Sequence, residues 1–129
     1  MRDYQPHKNN PYWLPNTLYR RVLVTVRDYD RMVTEYKEIV HETTSGDGQP
    51  RSSFPGDPVE RKIERMDRIW QDIRAIENAL IRIPPEYRQG VLQNIQYGGW
   101  PADVSAHYKT WLYWRQRFIF WVANNLKLV

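Results

Sequence analysis

NTLYRRVLVTVRDYDRMVTEYKEIVHE, residues 16–42, decides the fold class. Its residues Tyr19, Val22, Val26, Tyr29, Val33, Tyr36 and Val40 recur at alternating steps of three and four. That is the a/d pattern of a helix lying along another helix. Leu18, Leu23, Met32 and Ile39 widen the stripe, and Asn16 is the predicted N-cap. The partner helix is predicted over residues 57–83. It starts with Asp57 as cap acceptor, Pro58 at the first helical position and Glu60 completing a capping box. Its stripe is Val59, Ile63, Met66, Ile69, Trp70, Ile73, Ile76, Leu80 and Ile83. At 1.5 Å per residue each helix is roughly 39 Å long. Residues 43–56 are dominated by Gly, Pro, Ser and Thr and read as a flexible linker. Matched helices around such a linker predict a long antiparallel hairpin.

The remainder, residues 84–129, reads as a set of shorter helices. Pro84-Pro85 stops the second long helix. Glu86 to Ile95 forms the next, with Tyr87, Val91, Leu92 and Ile95 inward, and Gly98-Gly99 ends it. Trp100 to Val104 is predicted as one tight turn or a very short helix. The last helix starts at about Ser105 or Ala106 and runs to Leu126, with Val104, Tyr108, Trp111, Leu112, Phe118, Ile119, Val122 and Leu126 along its inward stripe. Arg115 falls in that stripe or at its margin. Trp111, Tyr113, Trp114, Phe118, Phe120 and Trp121 wrap nearly the whole circumference, so some must face a partner. Trp114 and Trp121 lie with Arg117 on a flank that the stripe leaves over. These two tryptophans are the candidate interface residues. The expected fold is all-α: a long antiparallel hairpin carrying a small C-terminal helical unit. It forms one domain over residues 1–129, with residues 1–15 as an extended arm.

Composition narrows the function classes. The 129 residues include no cysteine, which excludes a disulfide framework and a thiolate zinc site. No apolar run is long enough to span a membrane, and the N-terminus lacks the apolar core of a signal peptide, so a cytoplasmic protein is expected. The net charge of +4 is uneven by segment. Residues 17–42 hold five basic and five acidic residues, and residues 57–83 hold six of each. Residues 84–129 hold Arg88, Lys109, Arg115, Arg117 and Lys127 against Glu86 and Asp103. The excess at the C-terminal end is a modest footprint for an anionic partner.

Catalytic patterns are missing. His7, His41 and His107 are far apart, and there is no Gly-rich phosphate loop, nucleophile elbow or zinc-protease motif. Asp103 and His107 have the spacing to share a metal, but two ligands without a third make no site. Neither catalysis nor a cofactor is expected.

From Asp57 onward the landmarks resemble a family. DPVERK opens a helix that ends IENALIRIPPEYR at residues 76–88, a Gly-containing turn follows, and WRQRFIFWVANNL closes the run at residues 114–126. Their order is similar to that in phage transcriptional activators of the RinA/ArpU type, whose C-terminal part looks like the helix-turn-helix of sigma factors. The resemblance implies a supporting helix at 86–95, a first motif helix at 100–105 and a recognition helix at 107–123. Lys109, Thr110, Tyr113, Arg115 and Arg117 would then face DNA. It implies duplex DNA as partner, with host RNA polymerase as a further candidate. The wide apolar faces add self-association, with a dimer favoured. This chain departs from the family in having about four fewer residues before the Trp-Arg stretch, so its helix-turn-helix is degenerate. The rival expectation is a helical oligomerisation or interaction module, such as a phage structural or packaging accessory, that does not read DNA.

Overall fold

A break at Asp28 divides the long first helix. The computed structural model describes residue 5 and residues 10–44, 58–102 and 106–129, which form five helices and no strand among them. These are α1 (Asn16–Arg27), α2 (Tyr29–Thr44), α3 (Pro58–Ile81), α4 (Pro85–Tyr97) and α5 (Tyr108–Asn125). The all-α class therefore holds. Asp28 has φ −86° and ψ 0°, outside the helical well, and its N–H is shared between Val24 O and Thr25 O. Thr25 Oγ1 donates back to Arg21 O at 2.9 Å, a bond that bends helices. Arg31 Nε donates to the Asp28 carboxylate at 2.6 Å and holds its pKa below the usual value.

Because of this break, the hairpin is built from α2 and α3 rather than from the whole of residues 16–42. Pairs along it run in opposite senses. Lys62 meets Glu42 at 2.8 Å, Trp70 stacks on Tyr36 at 5.0 Å, and Tyr29 donates to Glu77 at 2.9 Å. The packing of α1 is directed instead onto α4 and α5. The seam also rotates. In α2 the fully covered residues are Met32 and Ile39, while Tyr29, Val33, Tyr36 and Val40 are half-buried. Among the described residues, Thr43 and Thr44 extend α2 into the predicted linker. The rest of that linker and the Asp57 cap lie outside them.

The core sits where α1, α3, α4 and α5 meet. Val22, Leu23, Val26, Ile73, Ile76, Val91, Ile95, Phe118, Ile119 and Val122 are essentially removed from water there. Gly90 is the closest approach. A Cβ on it would stand 2.5 Å from the Trp111 ring and 2.8 Å from Pro101, so only glycine lets α4 lie against α5. Arg88 closes the end of α3 by donating to Ile83 O at 2.8 Å and Ile81 O at 3.0 Å. Lys127, in the left-handed region at φ 60°, ends α5. The bonds Leu128 N–H to Ala123 O and Lys127 N–H to Asn124 O complete a Schellman motif.

The N-terminal segment is not a free arm over its described part. Leu14 is buried and exchanges two hydrogen bonds with Gln5. Asn10 Nδ2 donates to Gln116 Oε1 at 3.2 Å, and Tyr12 sets its ring edge-on to Phe120 at 5.4 Å. An aromatic, proline-rich sequence thus finds its partner on α5 of its own chain.

Candidate nucleic-acid interface

The start of α5 is fixed by a residue whose sequence role was not apparent. His107 Nδ1 accepts the Lys109 backbone N–H at 3.1 Å, and His107 O takes the N–H groups of Thr110 and Trp111. The helix that follows has 3.6 residues per turn, which puts Lys109, Thr110, Tyr113 and Arg117 within an arc of roughly 100°. Lys109 and Tyr113 are exposed, and Thr110 and Arg117 are half-buried. Arg117 is held by rings. Its guanidinium carbon lies 3.3 Å from the Tyr113 centroid and 4.3 Å from that of Tyr12.

Arg115 departs from the expected set. It points to the opposite side of the helix and keeps 6% of its surface. Its Nε donates to Asn94 Oδ1 at 2.9 Å and its Nη1 to Tyr19 OH at 2.7 Å. Asn94 in turn donates to Gly99 O at 2.6 Å. One side chain therefore ties α1, α4, α5 and the glycine turn together, and it is not available to a DNA backbone. The sequence carried a signal, since Arg115 falls in the apolar stripe. Its acceptors, Asn94 and Tyr19, are far away in the chain and could not be paired from spacing.

The two interface candidates are also occupied within the chain. Trp121 is buried, with the Arg82 guanidinium 4.2 Å from its ring centroid. Trp114 is half-buried, stacked on Tyr87 at 6.5 Å and edge-on to Tyr113 at 4.8 Å. The flank that looked vacant in sequence is covered by α4 and by the end of α3. From Tyr113 the ring contacts continue through Trp114, Tyr87 and Trp111 to Trp100. The candidate face thus rests on a continuous aromatic support.

The helix-turn-helix reading meets a specific difficulty. Trp100–Ala102 is not helical, and residues 103–105, which include Asp103 of the proposed metal pair, lie outside the described residues. Residues 98–107, where the first motif helix was expected, lie between α4 and α5. Among the described residues, no group of three His, Asp or Glu could hold a metal, and no helix is long and apolar enough to cross a membrane. A groove of about 560 Å³, lined by residues including Trp70, Asp72, Asn78 and Asn125, lies at the opposite end of α5 from Lys109. Burial, with Asp28 nearby, raises the Asp72 carboxyl above its ordinary pKa.

No family model, curated protein or solved structure matches the chain.

Proposed function

We propose that this chain is a transcriptional regulator of the phage RinA/ArpU type that binds duplex DNA through the N-terminal half of α5. The observation that carries the reading is the outward arc of Lys109, Thr110, Tyr113 and Arg117 on a helix containing no acidic residue. Recognition helices place their early residues at base edges while basic side chains hold phosphates. Lys109 and Arg117 take the phosphate role here, and Thr110 and Tyr113 stand closer to the bases. Arg115 supports the helix from behind. A dimer would present two such faces to paired half-sites, and host RNA polymerase in the cytoplasm is the further partner of this reading.

The test is a titration of the full chain against duplex DNA, of mixed sequence and from its genomic neighbourhood, at two salt concentrations. Binding should weaken with salt. Lys109→Ala with Arg117→Ala should lower the slope of log K against log salt by about 1.8, at about 0.9 for each phosphate no longer neutralised. An absence of duplex binding at low salt would overturn the reading.

One observation favours a second reading, an interaction or oligomerisation module. The segment Trp100–Ala102, where the first motif helix was expected to start, is not helical, and Tyr108 and Tyr113 are exposed on α5. Under that reading Tyr113→Ala lowers the mass seen by light scattering and leaves DNA out of the account.

A further inference from the structure

The break at Asp28 also separates charge that the continuous sequence had balanced. The α1 helix carries Arg20, Arg21 and Arg27 and no acidic residue. The acidic residues Asp30, Glu35, Glu38 and Glu42 all fall on α2, against Arg31 and Lys37. Asp28 itself is taken up by Arg31, at 2.5 Å. In the hairpin, basic groups meet carboxylates: Arg31 and Arg65 on Glu35, and Lys62 on Glu42. Arg20 and Arg21 are exposed and reach no carboxylate among the described residues.

These two arginines belong to one solvent face. Thr17, Arg20, Arg21, Val24 and Arg27 follow at helical spacing, all exposed, with Val24 63% open. Arg27 Nε donates to Ile95 O at 3.0 Å and fastens the end of α1 to α4. Tyr19 fastens its middle to Arg115 of α5. The helix bearing this basic face is therefore fastened both to α4 and to α5, the helix that carries Lys109 and Arg117.

We infer that the outer face of α1 is a second contact with the phosphate backbone of duplex nucleic acid, made by Arg20 and Arg21 with Thr17 beside them. The inference rests on the DNA-binding reading and extends it to a surface that the sequence had counted as neutral. The chemistry fits a polyanion. Unpaired guanidiniums and a hydroxyl are the groups that hold phosphate oxygens, and a face without acidic groups does not repel them.

The experiment compares salt slopes for mixed-sequence duplex binding by the full chain and two double variants. Arg20→Ala with Arg21→Ala should lower the slope by about 1.8, at about 0.9 per phosphate. Arg61→Ala with Arg68→Ala removes the same charge from exposed positions of the hairpin and should leave the slope unchanged. The charge-preserving pair Arg20→Lys and Arg21→Lys should retain it, and melting curves check that every variant folds. An unchanged slope in the alanine pair, or an equal fall in the hairpin control, overturns this inference and leaves the α5 reading standing. Failure of the unmodified chain to bind duplex at low salt overturns both. Binding to phosphatidylserine vesicles but not to duplex, lost in the same alanine pair, would reassign the face to a membrane surface and overturn the nucleic-acid inference.

Discussion

The distal hairpin and the body formed by α1, α4 and α5 are written in similar amphipathic code, yet they are held together differently. In the hairpin, Trp70 stacks on Tyr36 and still keeps 38% of its surface, and Ile63 keeps 44%. In the body, Trp111 stacks on Trp100 at 5.1 Å, meets Tyr87 edge-on at 5.2 Å and is buried. The difference is in the supply of packing partners. Asn125, at the end of α5, reaches Ala75 O at 3.0 Å, whereas Lys62 and Trp70, nearer the start of α3, meet Glu42 and Tyr36 of α2. Charge follows the same division. Exposed ion pairs lace the hairpin, and each contributes little in water. In the body, Arg115, Arg117 and Arg82 rest on amides, hydroxyls and rings. A helical pattern therefore predicts which face turns inward, and the elements available to pack on it decide how deeply it is buried.

The sharpest test of that contrast is a pair of tryptophan deletions followed by urea denaturation. Trp111→Ala should lower stability by about 3–5 kcal/mol, the range for a large buried aromatic. Trp70→Ala should lose about 1 kcal/mol, in keeping with its partial exposure and its two surface contacts, the stacked Tyr36 and the Arg74 guanidinium 5.6 Å from its ring centroid. Equal losses would mean that the hairpin is as well packed as the body.

Arg115 gives the next largest effect and bears on the site as well. Arg115→Ala should lower stability by about 2–3 kcal/mol, since it removes the buried guanidinium that donates to Asn94 Oδ1 and Tyr19 OH. Arg115→Met restores the volume but not the two donors, so it should recover only the packing part of that loss. The methionine variant should also keep its DNA affinity. A folded Arg115→Met protein that no longer binds DNA would return Arg115 to the contacting set.

Gly90→Ala should lower stability by about 1–3 kcal/mol, the usual range for overpacking, because the new methyl meets the Trp111 ring and Pro101. A glycine replaced in a less crowded helix would instead gain from alanine's better propensity. An unchanged or raised melting temperature would show that α4 can slide away from α5.

Much of the architecture was legible because helices advertise themselves by period and punctuation. The later part of the α3 stripe (Ile69, Ile73, Ile76 and Ile83), the stop at Pro84-Pro85, the turn at Gly98-Gly99 and the inward set Val91, Leu92 and Ile95 stand where sequence put them, while Ile63 and Trp70 of that stripe stay exposed. The break at Asp28 was hidden because neither proline nor glycine marks it. A threonine back-bond and an aspartate held by Arg31 produce it, and both residues are ordinary on a helix surface. That concealed break also masked the basic face of α1, since the charges on either side cancel when residues 17–42 are counted together. The candidate site was legible as one face of α5. Its depth was not, because the residues that cover Trp121 and claim Arg115 lie on other elements.

The smallest predicted effect concerns pH and distinguishes the hairpin from the body by a single hydroxyl. Tyr29 donates to Glu77 Oε2 at 2.9 Å, bridging α2 and α3. Burial first, and then the carboxylates of Glu77 and Asp30, push its pKa from the usual 10.0 up to about 12. A folded-state pKa above the unfolded one means that the folded chain keeps a proton which the unfolded chain has already released. The stabilisation is therefore complete below about pH 10 and disappears as the pH rises through about 12. Tyr29 is only half-buried, so solvent screening keeps the effect small. Tyr97, bonded to Asp30, shifts in the same direction from an exposed position and adds less. In thermal melts between pH 9 and pH 12, the unmodified chain should lose stability more steeply than Tyr29→Phe, and the gap should close at the alkaline end. Parallel curves would show that the Tyr29–Glu77 bridge makes no contribution in solution, leaving the hairpin to its apolar seam alone.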